Sequence, residues 1–418
     1  MRKLLFPLLC LCLFSACKDD TEYSFVSDYG VYITYADGNV TIKNPVNDGG
    51  VSISCEGEHV TVNASANDVT YFLSGTSTNG SFTIESSKHS QNVVLNGLTL
   101  TNQNGAAINI QTKKETSIVL PEGTTNKLID GGAADADSSK ATLFSEGELI
   151  FTGTGGSLYV EGNRKHGICS DDYIDIKSGN IQIKGNASDG IHVHDYFAIS
   201  GEKTKLTIET LSDAIDCDRG YIDIYGGILD LTAGDKGIAT SSDSVELDRD
   251  IRIYAGTINI ASLQTVEKDL TGYGIRSTGD LHIEGGNITI NTKKKAISAG
   301  KSDDNDVFQP QKMYIDGGTI VCAGTVRPLE NLGYQPAIYY GNSSNLSKGS
   351  YIYFKSSEGQ TLASLITLNK AKRFFYSSPS LVLGNTYSVY NSAVKLISIT
   401  TSNALSYIDN SGTIDEEE

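Results

Sequence analysis

No tryptophan occurs in these 418 residues, and cations are scarce: 33 Lys and Arg stand against 50 Asp and Glu, a formal charge of −17. A surface this acidic excludes nucleic acid as a partner and electrostatic attachment to anionic lipid. An acidic polymer can be held only through cations or a local basic patch. Beyond the first seventeen residues the cysteines are Cys55, Cys169, Cys217 and Cys322, with no CxxC pair and no metal-ligand spacing. They read as buried small hydrophobes. A chain of this length does not need disulfides to supply a core. Beyond the N-terminus no apolar run is long enough to cross a membrane, and helical periodicity is missing.

The apolar run that is present opens the chain. In MRKLLFPLLCLCLFSACKDD, Arg2 and Lys3 precede Leu4 to Phe14, and Ser15, Ala16 and Cys17 follow. The run is too short for a permanent span and has the flanks of an export signal. Small residues before Cys17 resemble the lipobox of bacterial lipoproteins. That resemblance implies cleavage after residue 16, a lipid on Cys17 and a membrane anchor. Lys18, Asp19 and Asp20 resemble the signal that sends some lipoproteins to the outer cell surface. Losing residues 1–16 removes two cations and no acids, so the charge goes from −17 to −19.

Self-similarity is the strongest signal. IDIKSGNIQIKG from Ile174, IDIYGGILDLTAG from Ile222, IRIYAGTINIAS from Ile251, LHIEGGNITINTK from Leu281 and MYIDGGTIVCAG from Met313 each join two alternating strands through a glycine turn. A small residue followed by isoleucine recurs at Ile168, Ile191, Ile215, Ile238, Ile275 and Ile297, at intervals of 23, 24, 23, 37 and 22 residues. Three short strands per period of about two dozen residues specify a β-solenoid. The leucine spacing of leucine-rich repeats is absent. The interval of 37 marks an insertion of about fourteen residues, expected around 262–272, and 300–312 reads as a polar loop leaving the solenoid.

The organisation that follows is all-β: a signal segment over 1–16, a linker over 17–39, a parallel β-helix over 40–325, a C-terminal β cap over 326–410 and a disordered tail over 411–418. Strands of the cap are expected near Tyr351 to Phe354, Ala363 to Asn369 and Tyr387 to Tyr390. An open solenoid end needs such a cap.

Stacking by period brings aspartates together. Asp189 and Asp213 lie two residues before their repeat isoleucines, and Asp235 lies three before. Asp216 follows Ile215 directly. Asp171 and Asp218 lie three residues after their isoleucines, Asp172 and Asp195 four after. Coils stacked at roughly 5 Å would gather these carboxylates on one turn. Hard oxygen donors from several segments suit calcium better than magnesium, with its strict octahedron, or zinc. Solvated turn aspartates are the alternative.

LNGLTLTNQNGAAINI, VLPEGTTNKLIDGG, LFSEGELIFTGTGGSLYVEGNRKHGI and SDGIHVHDYFAISG resemble the bacterial carbohydrate-binding-domain family, from about Val69 to Gly324. FFYSSPSLVLGNTYSVYN is similar to its C-terminal segment. The resemblance implies a right-handed, pectate-lyase-like parallel β-helix that binds calcium and acidic polysaccharide such as polygalacturonate. The family's acidic D-G-I element falls on Asp189-Gly190-Ile191 and Asp213-Ala214-Ile215, whereas His166-Gly167 and Lys236-Gly237 depart from it. The expected function is therefore a non-catalytic, calcium-dependent surface lipoprotein holding acidic glycan. A calcium-dependent polysaccharide lyase, with Arg219 or Lys236 as base, and a calcium-stabilised adhesin or spacer are the alternatives. With no tryptophan, Tyr173, Tyr221, Tyr225 and Tyr254 are candidate platforms for sugar rings, and Arg219 and Lys236 candidate ligand contacts.

Overall fold

The computed structural model describes residues 30–36, 38–46, 49–131, 140–242, 244, 246–263, 272–302, 308–330, 332–402 and 404–409. The signal segment, Cys17 and the tail 411–418 lie outside the described residues.

Three parallel ladders of strands build the molecule, and each coil adds one strand to each. The first ladder runs through His166–Ser170, Ile191–Val193, Ile215–Cys217, Ile238–Thr240 and Tyr273–Ser277. The second contains Tyr173–Ile176, Tyr196–Ile199, Ile222–Ile224 and Ile251–Ile253. The third contains Asn180–Gly185, Lys205–Thr210, Ile228–Ala233 and Thr257–Ser262. This is the parallel β-helix expected from the period. Alternation supplies the inward side chains: Ile168, Ile191, Ile215, Ile238 and Ile275 stack in register, and all are fully buried in one continuous core. Turn glycines such as Gly227 and Gly256 have φ of 86° and 109°, a conformation glycine alone adopts without strain.

Several expectations are corrected. Parallel pairing begins earlier than residue 40, because Gly30–Ala36 pairs with Thr70–Ser77. The segment 17–39, expected as a linker, therefore contributes a strand over 30–36, while 17–29 lie outside the described residues. The extra residues are divided between the connections from Thr240 to Ile251 and from Ser262 to Tyr273, and 243, 245 and 264–271 lie outside the described residues. The expected loop over 300–312 is partly a hairpin, with Gly300 opposite Pro310, while 303–307 lie outside the described residues. Cys169, Cys217 and Cys322 are buried, but Cys55 is exposed on an edge hairpin.

The cap has a second core. Ala371–Ser377 pairs antiparallel with Thr319–Arg327 and with Ala337–Leu346. The last parallel edge is thereby covered. A four-stranded antiparallel sheet, Tyr351–Lys355, Thr361–Ile366, Thr386–Asn391 and Val394–Thr400, packs over it through Phe354, Val389, Phe374 and Tyr376.

The small residue before each repeat isoleucine has a packing cause. A Cβ on Gly167, Gly190, Gly237 or Gly274 would run into the Cγ2 of Ile183, Ile208, Ile260 or Ile290 across the interior. Register places Leu231 and Cys322 at the equivalent positions opposite Ala214 and Ala296. Neither is β-branched, and there an alanine is found. Gly190→Ala should accordingly cost about 1–3 kcal/mol in denaturant unfolding. Combining it with Ile208→Leu should recover most of that loss, whereas additive losses would contradict this packing account.

Candidate functional site

The first ladder carries the chemistry on its outer face. In-register stacking aligns His166, Asp189, Asp213, Lys236, Tyr273 and Lys295 in one column, just before the small residue of each coil. A second column, three residues further along each coil, runs Cys169, His192, Asp216, Ala239 and Arg276.

The structure places the eight candidate metal aspartates in distinct surroundings. Asp189 Oδ1 accepts from the Asp213 amide at 3.0 Å, and Asp213 Oδ1 accepts from the Lys236 amide at 2.8 Å. Each carboxylate thus also caps the backbone of the next coil. Lys236 Nζ donates to Asp213 and Asp235, both at 2.8 Å. Burial pushes the Asp213 carboxyl up to about 7 against the pull of Lys236, and Asp189, Asp216 and Asp235 add to the rise. Lys236 loses some proton affinity to burial, but its two aspartates outweigh this and hold it well above the ordinary lysine range. Asp171 is bound by Lys140 at 2.6 Å. Asp172 is raised by burial and by the carboxylates of Glu148 and Asp195, and Asp195 is exposed. The row of carboxylates expected from the period is therefore split into pairs and small groups, most of them with a cation of their own.

Asp189, Asp216 and Asp218 do converge, around His192. The ring's Nδ1 lies 3.4 Å from both Asp189 and Asp216, and its Nε2 lies 3.2 Å from Asp218. His166 stacks on His192 with centroids 4.3 Å apart and places Nδ1 3.1 Å from Asp189. The Nδ1 contacts are ion-pair distances without well-aligned hydrogen bonds. Burial opposes charge on His192, but the three carboxylates outweigh it and push the imidazole up to about 12. His166, more deeply buried, is lowered despite Asp189. Burial would raise Asp189, yet the two histidines hold it far below the usual carboxylate range. Asp218, the most open of the three, is lowered mainly by His192.

The tyrosines stack on one another in files along the coils. Tyr173, Tyr196 and Tyr221 stack with centroids 4.3 and 5.0 Å apart, and Arg252 covers the Tyr221 ring. Tyr225 and Tyr254 stack at 4.7 Å. Ring faces inside a stack are occupied by their neighbours, so sugar rings cannot lie on them. Such pairs contribute roughly 0.5–1.5 kcal/mol each to the sheet surface. Lys236, clamped between two aspartates, is available neither as a base nor as a uronate contact. Arg219 is exposed on the turn beside Asp218. Lys140, Glu148, His166, His192 and Tyr196 were not among the candidate site residues. Of these, only Tyr196, one period from Tyr173 and Tyr221, carries a plain repeat signal.

A raised histidine is charged through the neutral range, and the stability it contributes is complete below about pH 6.5 and lost gradually as pH rises toward its folded value. In chelator-treated protein, an NMR titration should show no deprotonation step of the His192 ring between about pH 5 and 9. A midpoint near 6.5 would contradict the three-carboxylate contact.

A family model described as carbohydrate-binding domain-containing protein matches residues 56–325. No curated protein matches the chain. Among solved structures, a polysaccharide lyase-like protein from C. thermocellum, solved as a gadolinium derivative, is similar at 21% identity and a TM-score of 0.44. The alignment covers 72% of this chain and 97% of that one. With the family model spanning well over half its length, the chain belongs to the family of carbohydrate-binding domain-containing proteins.

Proposed function

We propose that this carbohydrate-binding chain holds acidic polysaccharide through calcium at Asp189, Asp216 and Asp218, without cleaving it. The observation that carries this reading is the charge around His192: three carboxylates face a single imidazolium. A divalent cation matches the charge left over. Both His192 nitrogens already face carboxylates, so the cluster offers oxygen donors to an ion, and oxygen donors suit calcium rather than zinc. Asp213, Asp235 and Asp171 have lysine partners and do not fit the role.

Calcium at this place would reverse the local sign and let a uronate carboxylate approach a protein of formal charge −17. Water and sugar oxygens would complete the shell of six to eight ligands that calcium takes. The non-catalytic part of the proposal is supported by the clamped Lys236, which removes one of the two candidate bases. A lipid on Cys17 would display the module at the outer cell surface, as the N-terminal resemblance implies.

Calcium at a hundredfold excess over its Kd should stabilise the fold by about 2.7 kcal/mol. Asp216→Asn/Asp218→Asn should lose most of that gain. De-esterified pectin should be retained only with calcium, and fully esterified pectin weakly. An unchanged melting curve in calcium would contradict the proposal, and so would release of unsaturated product on long incubation with pectin.

A further inference from the structure

The basic residues of this acidic chain are not evenly spread. A cavity of about 510 Å3 at the junction of helix and cap is lined by Lys293, Lys294, Lys370, Lys372 and Arg373, and none of its lining residues is acidic. Small-molecule sites fall in the range of roughly 300–1,000 Å3.

Both walls are produced by the fold. Asn287–Ser302 runs unbroken from the third ladder into the first, and its register against Thr319–Arg327 shifts between Asn291 and Lys295 and again before Ile297. Lys293 and Lys294 occupy the shifted corner. Gly324 faces it at φ 136°, where a Cβ would collide with Thr292 and with the Ala296 amide. The opposite wall is the cap strand Ala371–Ser377, held by the pairing of Ala323 with Phe374. Arg373 is 5% exposed there, and its Nη1 donates to Thr325 Oγ1 at 3.4 Å. The preceding loop is fixed to the helix, since the Leu368 amide donates to Asn291 Oδ1 and Asn369 Nδ2 to the Ser262 carbonyl. Lys370 is thereby held at the rim.

Lys293, Lys294 and Lys370 bring three cations to this one cavity, and they repel one another unless an anion lies among them. The cavity also lies on the edge where the third ladder turns into the first, the same edge that carries Asp189 and Asp213. Register from Ile215 through Ile238, Ile275 and Ile297 to Val326 counts four coils between the two places, roughly 19 Å at the strand spacing. One extended acidic chain can reach both.

We propose that this cavity is a metal-free anion subsite for acidic glycan, taking a uronate carboxylate or a sulfate ester between Lys293, Lys294 and Lys370. The identity of the ligand rests on the acidic-polysaccharide reading, but the subsite does not depend on calcium. Two contacts on one chain would raise avidity without any further interface.

Lysine acetylation of the full chain, read by mass spectrometry, gives a local test. Oligogalacturonate, a sulfated oligosaccharide, a neutral galacto-oligosaccharide and inorganic sulfate would each be added, in chelator and in calcium. At least one charged oligosaccharide should slow acetylation of Lys293, Lys294 and Lys370 roughly tenfold in chelator, with exposed Lys348 as the control. Protection should disappear at about 0.5 M salt. Lys293→Gln/Lys370→Gln should weaken chelator-insensitive binding roughly tenfold while leaving the calcium-dependent melting shift intact. Failure to protect in chelator, or equal protection by the neutral sugar or by inorganic sulfate, would overturn the subsite. Calcium-dependent retention with unprotected lysines refutes this cavity alone, and protection without any calcium effect refutes the aspartate reading alone.

Discussion

Stacking of coils in register governs this molecule: each outward side chain has a neighbour about 4.8 Å above and below it, one strand spacing away. Inside, that rule gives an uninterrupted file of isoleucines. Outside, it forces every column to be chemically consistent along its length. Aspartates in successive coils would repel, and here the column reads His166, Asp189, Asp213, Lys236, so that a base stands at each end of the acidic pair. The two coils that depart from the acidic motif are the ones that supply compensation. The tyrosine files obey the same rule with a different solution, stacking ring on ring.

The proposed function rests on where compensation stops. At Lys140 and Lys236 the carboxylates have close cationic partners. At His192 three carboxylates meet one ring, and negative charge is left over on a partly open surface. Toward the cap the sign changes, through Arg276, Lys295 and Arg327 on the first ladder to the lysines around the terminal cavity. Burial, Arg327 and Lys294 all lower the proton affinity of Lys295, although Tyr273 opposes them. A polyanion lying along this edge would meet both regions, one needing a cation and the other not.

How much of this the sequence discloses depends on the range of the contact. The three-strand coil, the turn glycines and the inward isoleucines recur at a fixed period, and so they are legible without coordinates. The Gly190–Ile208 contact is also visible once the small residue is compared with the branching of its partner. Contacts that break the period are not. The parallel pairing of Gly30–Ala36 with Thr70–Ser77 spans forty residues, although the alternation of Val31, Ile33 and Tyr35 and the local hairpin with Val40–Lys43 already mark the segment as a strand. Lys140 and Asp171 are separated by a segment of irregular length. His192 lies three residues from Asp189, but its place at the centre of three carboxylates depends on ring orientation, which no spacing encodes. The basic cavity draws one wall from a register shift and the other from the cap, so its lysines are scattered in sequence.

The proposed function requires the carboxylates of Asp189, Asp216 and Asp218 to meet a divalent cation. Anomalous diffraction from crystals equilibrated with calcium and collected at long wavelength tests it most directly. A calcium peak within about 2.3–2.6 Å of carboxylate oxygens of Asp216 and Asp218 is the predicted result. No peak at this cluster, with calcium at saturating concentration, would contradict it.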